Sequence, residues 1–174
     1  MKIYFAHPVT DYGSEKQAEA LSSLQKYYRE QWPRTNLEIE NPDHPHHQEG
    51  YNREGMDYFK KIVESCDRLA FMRFPDGSIG AGVGREIRWG LQSCYAVYEL
   101  FDGWLYQVQN MPTPILTVDQ TRSKIAGIRA SRYGDEPVCW LHETKCGAVE
   151  FAEKHDRDVI SFPVYRIAKG MVQP

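Results

Sequence analysis

The chain has 174 residues, 41 % of them hydrophobic and 26 % charged, with a formal net charge of −3. This length suits one domain with a core large enough to need no disulfide or metal staple, and the composition is that of an ordinary globular protein. The slight negative charge argues against a polyanion such as DNA or RNA, which selects a basic surface, but leaves room for a small phosphorylated ligand at a local site.

Residues 2–6, KIYFA, are β-branched and aromatic and stop at His7-Pro8, which predicts a first strand. The early apolar run Ile3 to Ala6 is too short for a signal h-region or a membrane span, so a cytoplasmic protein with no membrane partner is expected. Ser14-x-x-Gln17 has the form of a capping box, and Ala18, Leu21, Leu24, Tyr28 and Trp32 recur at helical spacing up to Pro33. LEIE at 37–40 alternates and ends at Asn41-Pro42, a second strand; the polar stretch DHPHHQEGYNRE reads as a loop. In 56–66, Phe59, Ile62, Val63 and Cys66 share one helical face, and RLAFMRF at 68–74 predicts a third strand. A glycine stretch then leads into a helix from about 82 to 92, followed by a strand at 95–100. This alternation predicts an α/β fold with a flavodoxin-like or Rossmann-like parallel sheet and flanking helices.

Beyond residue 100 the pattern is less regular and suggests an α+β extension within a single domain. GWLYQVQ and TPILTV look like short strands, the first as half of a hairpin, and Thr117-x-x-Gln120 caps a helix carrying Ile125 and Ile128. ASRYGDEP reads as a loop, KCGAVEFAEKH as a helix, and DVISFPVYRIA as a last strand that Pro163 confines to an edge or a bend. The four cysteines are expected to be free thiols in a chain of this type. Cys139, His142 and Cys146 have the spacing C-x2-H-x3-C, which would need a fourth ligand such as His155 to close a zinc site; thiols packed beside a helix start are the plainer reading.

The stretch FPDGSIGAGVGREIRWG at 74–90 carries Gly77, Gly80, Gly82 and Gly84 ahead of Glu86. Ligands of open α/β sheets bind where strands enter helices, and glycines there let backbone N–H groups approach an anion. The spacing matches neither a Walker loop nor a dinucleotide fingerprint, and turn-making alone is an equal explanation. Glu86 is placed in the first helical turn, where free N–H groups favour an ionised carboxylate. A sugar lying over that carboxylate, with its 5′ end at the loop, would make Glu86 the nucleophile of retaining glycosyl chemistry. A solvated first-turn glutamate is the competing reading.

KIYFAHP, IENP and ESCDRLAFMRFPDGSIGAGVGREIRWG, in this order and spacing, resemble the nucleoside 2-deoxyribosyltransferase superfamily, which includes deoxynucleoside monophosphate N-glycosidases. The resemblance covers roughly residues 1–100. It implies a flavodoxin-like enzyme that hydrolyses or exchanges the N-glycosidic bond of a nucleoside or nucleoside 5′-monophosphate through a glycosyl-enzyme intermediate. By position, Glu86 matches the nucleophile and Tyr4 the tyrosine that orients it. His7 and Pro8 match the loop that lines the sugar or phosphate; Ser78, Gly82 and Gly84 match the phosphate-side loop, and Asn41 lies near base or sugar. The resemblance also implies a homo-oligomer whose sites are completed by a neighbouring chain; no cofactor or metal is expected.

The sequence departs from the family pattern twice. Where the transferases carry a base-contacting aspartate there is Gly80, with Asp76 nearby; where the general acid is found there is Phe59, with Asp57 two residues earlier. Two residues are about 200° of helix rotation, so Asp57 serves as the acid only if the helix start is shifted. The missing acid keeps open a nucleotide-sensing module without chemistry. DHPHHQE, with three histidines and two carboxylates, keeps open a metal-dependent hydrolase, the least supported of the three. Trp104, Tyr106 and Trp140 form either a base-stacking surface or ordinary packing, and Asp67 is expected to hold the helix–strand turn.

Overall fold

A computed structural model describes residues 1–133 and the strand segments 137–143, 149–152 and 161–165. The chain divides into two compact units, Met1–Thr121 and Arg122–Pro174. No helix among the described residues is long and apolar enough to cross a membrane.

The first unit is an α/β layer structure. Its strands are β1 (Lys2–Ala6), β2 (Glu38–Glu40), β3 (Arg68–Phe71), β4 (Ala96–Phe101) and β5 (Trp104–Val108), in the spatial order β2-β1-β3-β4-β5. The first four run parallel, and β5 returns antiparallel to β4 as the second half of a hairpin. Strands β1 and β3 are neighbours, with Tyr4 opposite Leu69 and Phe5 opposite Ala70. Side chains alternate across a strand, so β1 feeds two cores. Ile3 and Phe5 pack with Leu24 and Tyr28 of helix α1 (Glu15–Gln31), while Tyr4 and Ala6 face the other way. There they meet Phe59 and Val63 of α3 (Met56–Glu64, reached through α2, His47–Glu54) and Val83 and Ile87 of α4 (Ala81–Ser93). Ile3, Phe5, Leu69 and Phe71 are fully buried, each a contribution of about 1.5–3 kcal/mol.

Local signals in the sequence set most of these boundaries. Ser14 caps α1 by accepting from the Gln17 amide, and Gln17 returns the bond to the Gly13 amide at 2.6 Å. Asp67 holds the turn into β3, its carboxylate accepting from the Lys2 amide at 2.7 Å. The Arg68 guanidinium stacks 4.3 Å above Trp32 at the end of α1. Thr117 and Gln120 form the expected reciprocal cap at the start of α5 (Val118–Tyr133).

Several local expectations need correction. The polar stretch read as a loop contains helix α2, whose buried face is made by His47 and Gly50 instead of aliphatic residues. A Cβ at Gly50 would run into the Tyr58 ring, and Gly55, at φ +59°, separates α2 from α3. TPILTV forms no strand: Pro112 and Pro114 withhold two amide donors, and only a single parallel bridge joins Ile79 and Ile115. The stretch read as a loop from 130 is helical as far as Tyr133.

In the second unit, β6 (Pro137–Glu143), β7 (Val149–Ala152) and β8 (Ser161–Tyr165) form an antiparallel sheet in the order β7-β6-β8. Pro163 therefore sits in an edge strand, as expected. Residues 149–152, expected to be helical, are a strand, in keeping with the two-residue alternation of Val149 and Phe151. Cys139 and His142 belong to β6, whereas Cys146 and His155 lie outside the described residues.

Candidate active site

Tyr4 and Glu86 are brought together by the pairing of β1 with β3 and the packing of α4 across both. The Tyr4 hydroxyl donates to Glu86 Oε1 at 2.8 Å, with Tyr4 fully buried and Glu86 6 % exposed. Helix α4 begins at Ala81, so Glu86 lies in its second turn, not in the first turn as the sequence suggested. It consequently lacks the free N–H groups that would favour its charge. Burial pushes its carboxyl up to about 7, and the bond from Tyr4 offsets only part of that. Burial and the adjacent carboxylate drive the Tyr4 hydroxyl well above its ordinary value, which keeps it a donor.

The loop after β1 supplies His7, 2 % exposed, whose Nδ1 lies 3.0 Å from the Phe5 carbonyl and whose Nε2 is buried without a hydrogen-bond partner. Burial lowers the His7 pKa, so the imidazole is neutral and, with Nδ1 donating to Phe5, Nε2 is an acceptor. Pro8, also buried, opens a 3-10 turn in which its carbonyl accepts from the Asp11 amide at 2.9 Å. Tyr12 stacks obliquely on His7 at 5.0 Å between ring centroids, and its hydroxyl is raised by burial and by the charge of Glu86. Tyr12 thus belongs to the site, although its sequence position, in a polar run after the strand, carries no signal of it.

The glycine stretch does several separate jobs. Gly77, at φ +81°, closes a tight loop in which Asp76 Oδ1 accepts from the Ser78 hydroxyl at 2.7 Å and the Phe74 amide donates to the Ser78 carbonyl at 2.9 Å. Asp76 and Ser78, expected to contact ligand, therefore spend these groups on their own turn. Gly80 caps α4, and the next amide, of Ala81, donates to the Thr121 hydroxyl at 2.9 Å. Gly84 permits close packing: a Cβ there would come within 2.8 Å of Ile115 Cγ2, and its amide donates to the Gly80 carbonyl. It does not present an N–H to a ligand, contrary to expectation. Gly82 has open space, with nothing nearer to an added Cβ than Met56 Cε at 4.0 Å.

Arg73, which the sequence did not single out, clamps this loop. It makes a two-pronged pair with Glu99 at 2.7 and 2.9 Å and donates to the carbonyls of Gly77 and Thr113. Asn41 serves the loop after β2, where its side chain accepts from the Asp43 amide at 3.1 Å. Asp43 in turn accepts from Gln17 and Gly13 at the start of α1.

Asp57 is the clearest departure from the expected site. Helix α3 starts without a register shift, so Phe59 is the buried residue that meets the Tyr4 ring, at 6.3 Å, and Asp57 is exposed. Trp104 and Tyr106 are 67 % and 55 % exposed on β5. A cleft of about 770 Å³ lined by Lys16, Met72, Phe74, Glu99 and Leu100 shares no lining residue with the Tyr4–Glu86 pair.

Comparison with family models, with curated proteins and with solved structures finds no match for this chain.

Proposed function

We propose that the protein cleaves or exchanges the N-glycosidic bond of a nucleoside or nucleoside 5′-monophosphate, with Glu86 as nucleophile and Tyr4 as the residue that orients it. The observation that carries this reading is the buried 2.8 Å bond from Tyr4 to Glu86 Oε1, between the two residues that the family resemblance pairs. The parallel order β2-β1-β3-β4 supports a flavodoxin-like core for it, with β5 turned antiparallel.

In the reaction, a Glu86 carboxylate oxygen forms a bond to C1′ as the bond from C1′ to the base nitrogen breaks. The electron pair of that bond leaves with the base, which takes up a proton from solvent water, and the water that later attacks C1′ returns one. Water, or a second base, then attacks C1′ and releases the carboxylate. Tyr4 holds one carboxylate oxygen, which leaves the other as the attacking atom. A neutral His7 with an unpartnered acceptor nitrogen is suited to receive a sugar hydroxyl. The open backbone at Gly82, near the start of α4, suits a phosphate on the same ligand.

The exposed position of Asp57 favours a second reading, a nucleotide-binding module without catalysis. No carboxylic acid from α3 is then at hand to protonate a departing base. Chromatography of free base, after incubation with nucleosides and their monophosphates, separates the two readings. Base release supports the enzyme, and ligand binding without release supports the sensor. We further propose that the protein works as a homo-oligomer.

A further inference from the structure

Glu40 ends β2, and the chain turns through Asn41-Pro42 to bring His46 and His47 back over it at the start of α2. Glu40 Oε1 is 2.9 Å from His47 Nε2 and 3.4 Å from His46 Nε2, and one ligand atom from each residue lies within 4.8 Å of the others. Donors about 2.0–2.1 Å from a tetrahedral ion stand roughly 3.4 Å apart, so the two separations from Glu40 are already near what one ion imposes, and the third is no more than 4.8 Å. His47 is 2 % exposed, and its Nε2 lies 2.9 Å from Glu40 Oε1 without the alignment of a regular hydrogen bond. A buried ring nitrogen 2.9 Å from a carboxylate oxygen is held either by a shared proton or by a shared metal ion, and the second imidazole beside the same oxygen favours the ion.

The neighbours prepare the donors. Tyr58 Oη lies 3.0 Å from His47 Nδ1, His44 Nδ1 contacts His46 Nδ1, and Lys2 Nζ engages Glu40 Oε2, which leaves Oε1 turned to the histidines. Partners on the far nitrogen of each imidazole are the usual second layer of a metal site. We propose that Glu40, His46 and His47 bind one divalent ion of the zinc class. Two imidazoles and one carboxylate, with no thiolate, select such an ion over magnesium or calcium, and a fourth position is left for water. The ion would clamp the end of β2 to α2. It would also stand one side chain from the candidate active site, because the Phe59 ring lies 5.6 Å from His47 and 6.3 Å from Tyr4. The proposal does not depend on the glycosidic reading.

The test is a zinc titration of the chelator-treated full chain against a chromophoric competitor, followed by the visible spectrum of the cobalt(II) form. The expected result is about one zinc per chain at micromolar affinity or tighter, with a cobalt spectrum lacking a thiolate charge-transfer band. His46 is half exposed, so His46→Ala should keep its circular dichroism yet lose at least about tenfold in affinity. A Cys139→Ser/Cys146→Ser variant should bind as the parent does. No stoichiometric binding would mean that a proton alone joins His47 to Glu40 and would overturn the proposal. So would undiminished binding in His46→Ala, or loss of binding in the cysteine variant.

Discussion

Glu86 is a carboxyl group that the fold keeps almost dry, and this makes its state of charge depend on pH near neutrality. Its pKa of about 7 in the folded chain lies above the 4.5 of an unperturbed glutamate. Between these values the folded state holds a proton that the unfolded state has lost, so stability falls as pH rises through this window. Glu86→Gln removes the cost of the buried charge while keeping an acceptor for Tyr4. The variant should therefore match the parent near pH 4.5 and exceed it at pH 8 by on the order of 3 kcal/mol, as read from urea denaturation at the two pH values. If the glutamate is the nucleophile, base release should rise with pH and reach half its plateau near 7, since only the carboxylate attacks. Tyr4→Phe should slow release less than Glu86→Gln does, because it removes an orienting bond and not the attacking group.

The elements around the site show which parts of it a sequence can announce. The strand containing Tyr4 and the helix containing Glu86 were legible, because β-branched alternation and a glycine-to-helix transition are local signals. Helix α2 was not, because its buried face consists of His47 and Gly50 and carries no apolar period. The roles of the glycines were hidden for a related reason: a close approach is a property of the neighbour, as with Ile115 over Gly84. That difference is measurable. Gly84→Ala should destabilise in spite of its gain in helix propensity, since the new methyl meets Ile115, whereas Gly82→Ala has open space and should gain up to about 1 kcal/mol. Opposite shifts of the urea midpoint are expected, and shifts of the same sign would contradict the packing described. The Arg73 clamp was equally invisible, since its partners Glu99 and Thr113 are distant in sequence. Arg73→Ala should cost about 2 kcal/mol, and Arg73→Lys should recover little, because an ammonium cannot span both Glu99 oxygens.

At the scale of the whole chain, the proposed family reading rests on residues 1–100, which hold β1 to β3 and most of β4, and makes no claim on the antiparallel β5. Phe101, Trp104 and Tyr106 are exposed on the β4–β5 hairpin, with Tyr95 exposed just before it, an aromatic density common at subunit contacts. Light scattering at micromolar concentration should give a mass above that of one chain; a monomer would remove the oligomer proposal. The second unit was read less well from sequence because its strands are short and interrupted, and its helical and strand periods overlap at Val149–Ala152. The account as a whole turns on one group. Parent protein and Glu86→Gln should be incubated at pH 8 with a panel of nucleosides and nucleoside 5′-monophosphates, and free base quantified by chromatography. The account predicts that the parent releases base from at least one member, and that the folded, more stable glutamine variant releases none while still binding it. Base release by Glu86→Gln at the parental rate, or none by the parent from any member, would contradict it.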